Sequence, residues 1–223
     1  MKNWGTVYIV DDDDGVRRAL SLLMRSVGLN VAVFDSAASF LAAYDPAQTG
    51  CLLLDVRMPG MSGLELQDRL RRDGCHLPVI IMTGHGDVPM AVRAMKGGAV
   101  DFVEKSAFND QSLLERVQAA LRCDEARRVH AHLADDFHKR EALLSPREKQ
   151  VMELFVQGKV AKVIAYELGL STKTVETHRS NVMEKMGVRS LVELTRMVME
   201  TKPGSSDTVA WPQENAESGK TLS

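Results

Sequence analysis

Several absences narrow what this chain can be. It has only three cysteines, Cys51, Cys75 and Cys123, and their odd number and scattered positions argue against a disulfide framework or a thiolate metal site. No apolar stretch approaches the length that spans a bilayer, and the first residues lack a basic and then apolar leader. The sequence therefore predicts a soluble cytoplasmic protein with reduced thiols and no membrane contact.

A strong charge of one sign is also missing. The net charge is −2 over 223 residues, so the net charge of the whole chain does not indicate a class of binding partner. The distribution says more, because residues 1–121 carry 12 Lys and Arg against 15 Asp and Glu, whereas residues 159–189 carry 6 against 3. This mildly basic C-terminal segment is suited to face phosphates.

Strand-like segments are confined to residues 1–121. Short apolar runs alternate there with helical patterns, which indicates a parallel sheet covered on both faces by helices. The predicted strands are Thr6–Val10, Val31–Phe34, Cys51–Leu54, Pro78–Met82 and Asp101–Val103. The predicted fold class is α/β, a five-stranded parallel doubly wound sheet of flavodoxin-like type.

The remainder of the chain reads as helical. Residues 122–143 lack Pro and Gly and predict a helical linker. The segment Ser145–Glu148 places a cap hydroxyl, a proline and a carboxylate as a capping box does. Four helices follow, and Gly169–Ser171 joins two of them in a helix-turn-helix layout. Residues 144–200 are thus a predicted small all-α domain, and residues 201–223 a predicted disordered tail.

Polar side chains close four of the five predicted strands. Asp11 and Asp12 follow the first strand, Asp55 the third, Thr83 the fourth and Lys105 the fifth. Because ligands bind outside the carboxyl ends of parallel strands, these side chains should converge. Such a set needs a divalent cation to relieve its negative charge, and it offers Asp55 as a nucleophile toward phosphorus.

These motifs resemble a known family. Those of the first domain resemble a receiver domain of bacterial two-component response regulators: Leu54–Gly63, Met82–Asp87 and Asp101–Lys105. Those of the second resemble a LuxR/FixJ-type output domain: Leu144–Glu148, Gly169–Ser171 and Thr174–Arg179. The likeness spans about residues 6–200 and is to the FixJ-like subfamily of transcriptional regulators.

The resemblance implies phosphoryl transfer to Asp55 from a phosphohistidine of a partner sensor histidine kinase. Mg²⁺ would be held by Asp12 and Asp55 directly, by Asp11 through water, and by the backbone carbonyl of Arg57, in keeping with its preference for oxygen ligands. The resemblance therefore assigns three carboxylates and one carbonyl to the metal.

The switch residues follow from the same resemblance. Lys105 would contact the phosphoryl oxygens, and the Thr83 hydroxyl would hydrogen-bond to the new group. Phe102 occupies the place of the aromatic residue that packs inward in related receivers. The family lysine normally precedes a proline in a cis peptide, but Ser106 stands here. A cis peptide bond without proline costs about 2.5–4 kcal/mol, so we expect the bond between Lys105 and Ser106 to be trans. We also expect Ser106→Pro to alter the rate of phosphorylation or the lifetime of the phosphorylated state.

For DNA, the resemblance places the third C-terminal helix in the major groove. Its predicted base-reading residues are Glu176, Thr177 and Ser180. The predicted phosphate contacts are Lys173, Thr174, His178 and Arg179, with Lys162 and Lys185 as further backbone contacts. At helical spacing, Val175, Val182, Met183 and Met186 are predicted to be core. A Glu at a base-reading position accepts from cytosine but repels phosphate, so its role stays open.

The expected mechanism is that phosphorylation remodels the face of the fourth helix and fifth strand, and that the homodimer then binds double-stranded promoter DNA. RNA polymerase is a further partner implied by promoter binding. One alternative is a phosphorylation-independent, constitutive transcription factor with a degenerate receiver. Another is a metal-dependent phosphatase of haloacid dehalogenase-like type, although Arg57 stands where that family has its acid/base Asp. A third is a scaffold that does not bind DNA.

Overall fold

The structure is a computed structural model that describes residues 5–84, 87–106 and 109–201. The chain divides into two compact units, Met1–Arg128 and Val129–Ser223. This division falls inside the predicted linker. The predicted tail beyond residue 201 lies outside the described residues.

The first unit alternates strands and helices along the chain. Its elements are β1 (Thr6–Val10), α1 (Asp14–Ser26), β2 (Asn30–Phe34), α2 (Ala37–Ala43), β3 (Gly50–Asp55), α3 (Gly63–Arg72), β4 (Val79–Thr83), α4 (Val88–Lys96) and β5 (Asp101–Glu104). Helix α5 (Asp110–Glu141) begins in this unit and ends in the second. Helix α5 therefore runs without a break through residues 122–141 of the predicted linker.

The strands form one parallel sheet in the order β2-β1-β3-β4-β5. Successive side chains of a strand point to opposite faces, and both faces here are buried. In β1, Val7 and Ile9 pack into one core cluster, whereas Tyr8 and Val10 pack into the other. The predicted α/β, doubly wound, flavodoxin-like fold is confirmed.

The second unit is helical in its described part. After the end of α5 it contains α6 (Pro146–Val156), α7 (Ala161–Leu168), α8 (Thr172–Met186) and α9 (Leu191–Thr201). The predicted capping box opens α6, since Ser145 and Glu148 each accept from the other's backbone N–H. Gly169 ends α7 with a φ of 65°, a left-handed conformation that favours glycine. No described helix is long and apolar enough to cross a membrane.

Candidate phosphoacceptor and DNA-binding sites

Three polar side chains are buried at the carboxyl edge of the sheet. Asp11 lies directly after β1, Asp55 ends β3 and Thr83 ends β4, and their exposed fractions are 2%, 5% and 1%. Lys105 follows β5, and its backbone N–H donates to the Thr83 carbonyl at 2.7 Å. Because the strands are parallel, their ends meet at one edge, and the predicted convergence of these residues is what the sheet produces.

The Lys105 ammonium lies between the two buried carboxylates. Its Nζ is 2.5 Å from Asp11 Oδ2 and 2.7 Å from Asp55 Oδ1. The second oxygen of Asp55 accepts the Arg57 backbone N–H at 2.6 Å. One ammonium group therefore pairs with two carboxylates, which leaves one excess negative charge buried at the site.

Burial and the neighbouring charges together set the acid–base properties of this cluster. Burial raises the pKa of Asp55, and the charge of Asp11 adds to the rise, although Lys105 and the Arg57 N–H work in the opposite direction. Burial alone would lower the pKa of Lys105, but its contacts with Asp11 and Asp55 outweigh burial and raise that pKa. Lys105 thus remains an ammonium ion.

The turn after β1 presents further acidic groups. Asp12 is exposed beside Asp11, and Asp13 caps α1 by accepting the Gly15 N–H at 2.7 Å. Arg17 donates to the Asp11 carbonyl at 2.7 Å and so holds the backbone of this turn. The turn is fixed at both ends by hydrogen bonds, and the Asp12 carboxylate faces solvent.

The predicted magnesium ligands can be compared with this geometry. Among the described residues, no group of three His, Cys, Asp or Glu side chains is gathered as a metal site. Two of the predicted carboxylates, Asp11 and Asp55, are brought together, whereas Asp12 is exposed on the same turn. Oxygen donors and an excess of buried negative charge fit a hard divalent cation. The magnesium set stays a prediction whose donor chemistry suits these residues.

The other predicted residues of this edge have distinct surroundings. Phe102 is partly buried and packs against the core cluster that contains Tyr8 and Leu54. The described residues contain no cis peptide bond, so the bond from Lys105 to Ser106 is trans, as expected. The next residues, 107 and 108, and also His85, lie outside the described residues.

A close approach at the site was not anticipated from the sequence. A Cβ on Gly63 would lie 2.0 Å from the carbonyl oxygen of Asp55. The Gly63 N–H also donates to the Val56 carbonyl at 3.0 Å. Only glycine lets the start of α3 reach the strand end that carries Asp55. Its place in the motif Leu54–Gly63 is the sequence signal that could have indicated this role.

In the second unit, α8 has the division of faces that a recognition helix requires. Val175, Val182 and Met186 are buried and Met183 is partly buried, so the predicted core residues are confirmed. The exposed members of the predicted DNA-binding set are Lys162, Lys173, Glu176, Thr177 and Ser180. Their exposure agrees with a surface role, while contact with DNA stays a prediction.

Three of the four remaining predicted DNA contacts are engaged within the unit. The Thr174 hydroxyl is 2.8 Å from the Ser171 hydroxyl, and Lys185 Nζ is 2.7 Å from Glu148 Oε2. Arg179 lies over the Phe155 ring. His178 is half-buried, and its Nδ1 has no hydrogen-bond partner among the residues that the structure describes. Lys185 therefore has a structural partner in addition to its predicted role toward DNA.

Two long-range contacts of buried carboxylates were not predicted. Asp124 is fully buried, accepts the Gly50 N–H at 3.0 Å and pairs with Arg127 and Arg128. Glu148 was predicted as a helix cap, but its contact with Lys185 of α8 was not. Nothing local in the sequence signals either contact.

Comparison with known proteins covers both units. The chain matches the family described as "Response regulator receiver domain" over residues 7–118 and the family described as "Bacterial regulatory proteins, luxR family" over residues 142–198. It is 50% identical to the transcriptional regulatory protein FixJ of Azorhizobium caulinodans, covering 86% of this chain and 91% of that protein. It is 44% identical to the response regulator protein TodT of Pseudomonas putida, covering 88% and 86%.

Solved structures agree with these matches. The response regulator StyR is 45% identical and aligns with a TM-score of 0.75 over 87% of this chain and 98% of its own. Full-length FixJ from B. japonicum is 46% identical and aligns with a TM-score of 0.56 over 88% and 97%.

Proposed function

Because this chain belongs to the response regulators that join a receiver domain to a LuxR-family DNA-binding domain, we propose that phosphorylation of Asp55 controls its binding to promoter DNA. The observation that carries the proposal is the cluster of Asp11, Asp55 and Lys105 at the carboxyl edge of the sheet, with Thr83 on the neighbouring strand end. The family is one of regulators and not of catalytic enzymes.

The proposed reaction is a displacement at phosphorus. A carboxylate oxygen of Asp55 attacks the phosphoryl group of a kinase phosphohistidine, the new O–P bond forms as the N–P bond breaks, and the imidazole leaves. The Arg57 N–H holds one Asp55 oxygen, and Lys105 already touches the other. Lys105 then contacts the phosphoryl oxygens, and Thr83 donates its hydroxyl hydrogen to one of them.

The proposed Mg²⁺ ligands are Asp12, Asp55 and the backbone carbonyl of Arg57, and Asp11 would bind the ion through water. When bound, this ion would neutralise part of the negative charge that the phosphoryl group and the carboxylates bring together. Asp11 keeps Lys105 at the site through their 2.5 Å contact. Asp11 thus serves both the cation and the lysine in this proposal.

The position of Lys105 supports a working receiver over a degenerate one. Although Ser106 replaces the family proline, the Lys105 ammonium still reaches both carboxylates. The replacement of the proline therefore does not remove the lysine from the site.

The remainder of the proposal concerns output. Residues 1–121 are the proposed receiver, 122–143 the linker and 144–200 the DNA-binding domain. Phosphorylation shifts Thr83 and Phe102, the receivers form a homodimer, and two copies of α8 bind neighbouring half-sites. A sensor histidine kinase is the proposed donor, RNA polymerase a proposed further partner and the cytoplasm the proposed location.

Mass spectrometry and sedimentation test this proposal. Incubation with acetyl phosphate and Mg²⁺ should add one phosphoryl group to the native chain and to Asp68→Asn, whose carboxylate is half-exposed on α3. Asp55→Asn should gain none. The phosphorylated proteins should then gain dimer and enrich a sequence from a randomised DNA library. Equal dimerisation and DNA binding by native protein and Asp55→Asn would contradict phosphorylation control.

A further inference from the structure

We infer that Glu176 selects a cytosine in the operator, and that Arg179 holds the Glu176 carboxylate in place and neutralises its charge. The inference rests on the proposed function, because it requires α8 to lie in the major groove. It reassigns Arg179 from a phosphate contact to a positioning residue.

The geometry consists of three side chains in contact. Glu176 is about half exposed, and its Oε2 lies 3.2 Å from Arg179 Nη1. The guanidinium carbon of Arg179 is 5.5 Å from the centroid of the Phe155 ring. Phe155 is buried in the core cluster of α6, α7 and α8, so its ring is a fixed part of the domain. A guanidinium over an aromatic face is attracted to it and loses freedom to move.

The third side chain matters because an exposed ion pair alone is weak. Pairs of this spacing on a helix surface contribute only a few tenths of a kcal/mol, roughly 0.3–0.5, and do not fix a geometry. Here the ring of Phe155 restrains Arg179, and Arg179 restrains the Glu176 carboxylate. The carboxylate is therefore ordered before DNA arrives, which lowers the entropy cost of binding.

The pair also removes the objection to an acidic residue beside DNA. A bare carboxylate would be repelled by phosphates, whereas Glu176 paired with Arg179 is a neutral unit. The Arg179 guanidinium directs Nη1 at Glu176 and packs over Phe155, so it does not extend freely toward a phosphate. Neutralisation and orientation thus come from the same contact.

An ionised carboxylate can only accept hydrogen bonds. In the major groove cytosine presents the N4 amino donor, whereas guanine presents two acceptors and thymine an acceptor and a methyl group. Adenine presents an N6 donor beside the N7 acceptor, and a carboxylate cannot donate to N7. Among the predicted base-reading residues, Thr177 already donates its hydroxyl to the Lys173 carbonyl at 3.1 Å. Glu176 is therefore the residue with an ordered acceptor facing outward, and cytosine is its best partner.

The test compares base preferences of full-chain variants. Sites are selected from a randomised duplex library with phosphorylated native protein, and dissociation constants are then measured for all four base pairs at each position. Native protein should prefer cytosine at one position by roughly 10-fold or more. Glu176→Gln should shift that position toward adenine, because an amide pairs with adenine N6 and N7.

Arg179→Gln should reduce the cytosine preference several-fold at the same position. In the Glu176→Gln background it should change that preference no further, because the two residues act as a unit. It should lower the salt slope by clearly less than the value of about 1 that loss of a phosphate contact causes. Lys162→Gln on α7 is the comparison, since loss of a phosphate contact weakens all sequences evenly and lowers the salt slope by about 1.

Three outcomes would overturn the inference. One is a Glu176→Gln profile identical to the native profile at every position. Another is an Arg179→Gln profile with native base preferences and a salt slope reduced by about 1, which would make Arg179 a phosphate contact. If the native protein enriches no sequence, the proposed function itself is wrong and the inference falls with it. Circular dichroism and thermal unfolding must show each variant to be folded.

Discussion

Asp55 meets two demands that oppose each other. A nucleophilic carboxylate must be ionised, yet burial and the neighbouring Asp11 raise the pKa of Asp55. Lys105 relieves only part of this load because it also pairs with Asp11. Before phosphorylation, the ionised site therefore reduces the stability of the fold, which is a common property of functional sites.

Asp55→Asn is expected to raise the free energy of unfolding of the first unit by about 1 kcal/mol at pH 7. The pKa of Asp55 is higher in the folded state than its ordinary value of 3.8. Protonated Asp55 therefore contributes its whole stabilisation below pH 3.8, and this contribution is lost as the pH rises through the raised pKa. The gain should therefore be small at about pH 3.5, below the ordinary value, because Asp55 is mostly protonated in both states. Urea unfolding in EDTA at both pH values measures it, with Asp68→Asn as control. A variant less stable than native protein at pH 7 would contradict the argument.

The part of α5 that follows residue 121 is held to β3 by a buried carboxylate. Asp124 joins the start of β3 to two arginines, and Arg128 also donates to the carbonyls of Pro46, Ala47 and Gln48. The sequence placed this residue in a linker, yet it has no exposed surface. The first turns after residue 121 thus stabilise the receiver itself.

Asp124→Asn is expected to lower the free energy of unfolding by about 2–4 kcal/mol, because the arginines lose their buried anion. Asp135→Asn is the matched control on the same helix, since its partner Lys139 is exposed and surface changes cost within about 0.5 kcal/mol. Denaturant unfolding measures both variants. Similar values for the two would show that Asp124 anchors nothing.

Glu148 joins α6 to the recognition helix. Its contact with Lys185, together with the Ser145 N–H, lowers the pKa of Glu148 to about 2. Because the pKa of Glu148 is lowered, its ionised carboxylate contributes its whole stabilisation above the ordinary pKa of 4.5, and this contribution is lost as the pH falls toward 2. Glu148→Gln should therefore cost about 1–3 kcal/mol at pH 7 and progressively less below pH 4.5. Thermal unfolding across this range checks it, with the exposed Glu153→Gln as control. A cost that does not change with pH would refute the ionic origin.

Helices, strands and strand-end residues were predictable because their signals are local. Hydrophobic period, caps and the residues that end apolar runs gave the sheet and the convergence of Asp55 with Lys105. The contact of Asp124 with Gly50 spans 74 positions, and that of Glu148 with Lys185 spans 37. A single sequence carries no periodic signal for such pairs, so only the fold reveals them.

The two compact units give the whole molecule two separate stabilities to measure. The receiver side carries the proposed cation site, and the helical side carries the proposed DNA contacts. A ligand that binds one folded unit stabilises it by an amount set by ligand concentration and affinity. Magnesium should therefore act on one unit and leave the other unchanged.

Hydrogen exchange with mass spectrometry can resolve this asymmetry. Mg²⁺ at roughly 100 times its dissociation constant should raise the free energy of opening in β1, β3 and β4 by up to about 2.7 kcal/mol, which slows their amide exchange. The exchange of α6 to α9 should not change. Asp55→Asn should lose most of this protection, because it removes one of the proposed ligands. Sodium chloride at matched ionic strength controls for screening. Equal protection of both units, or protection that survives Asp55→Asn in full, would place the cation away from the phosphoacceptor site.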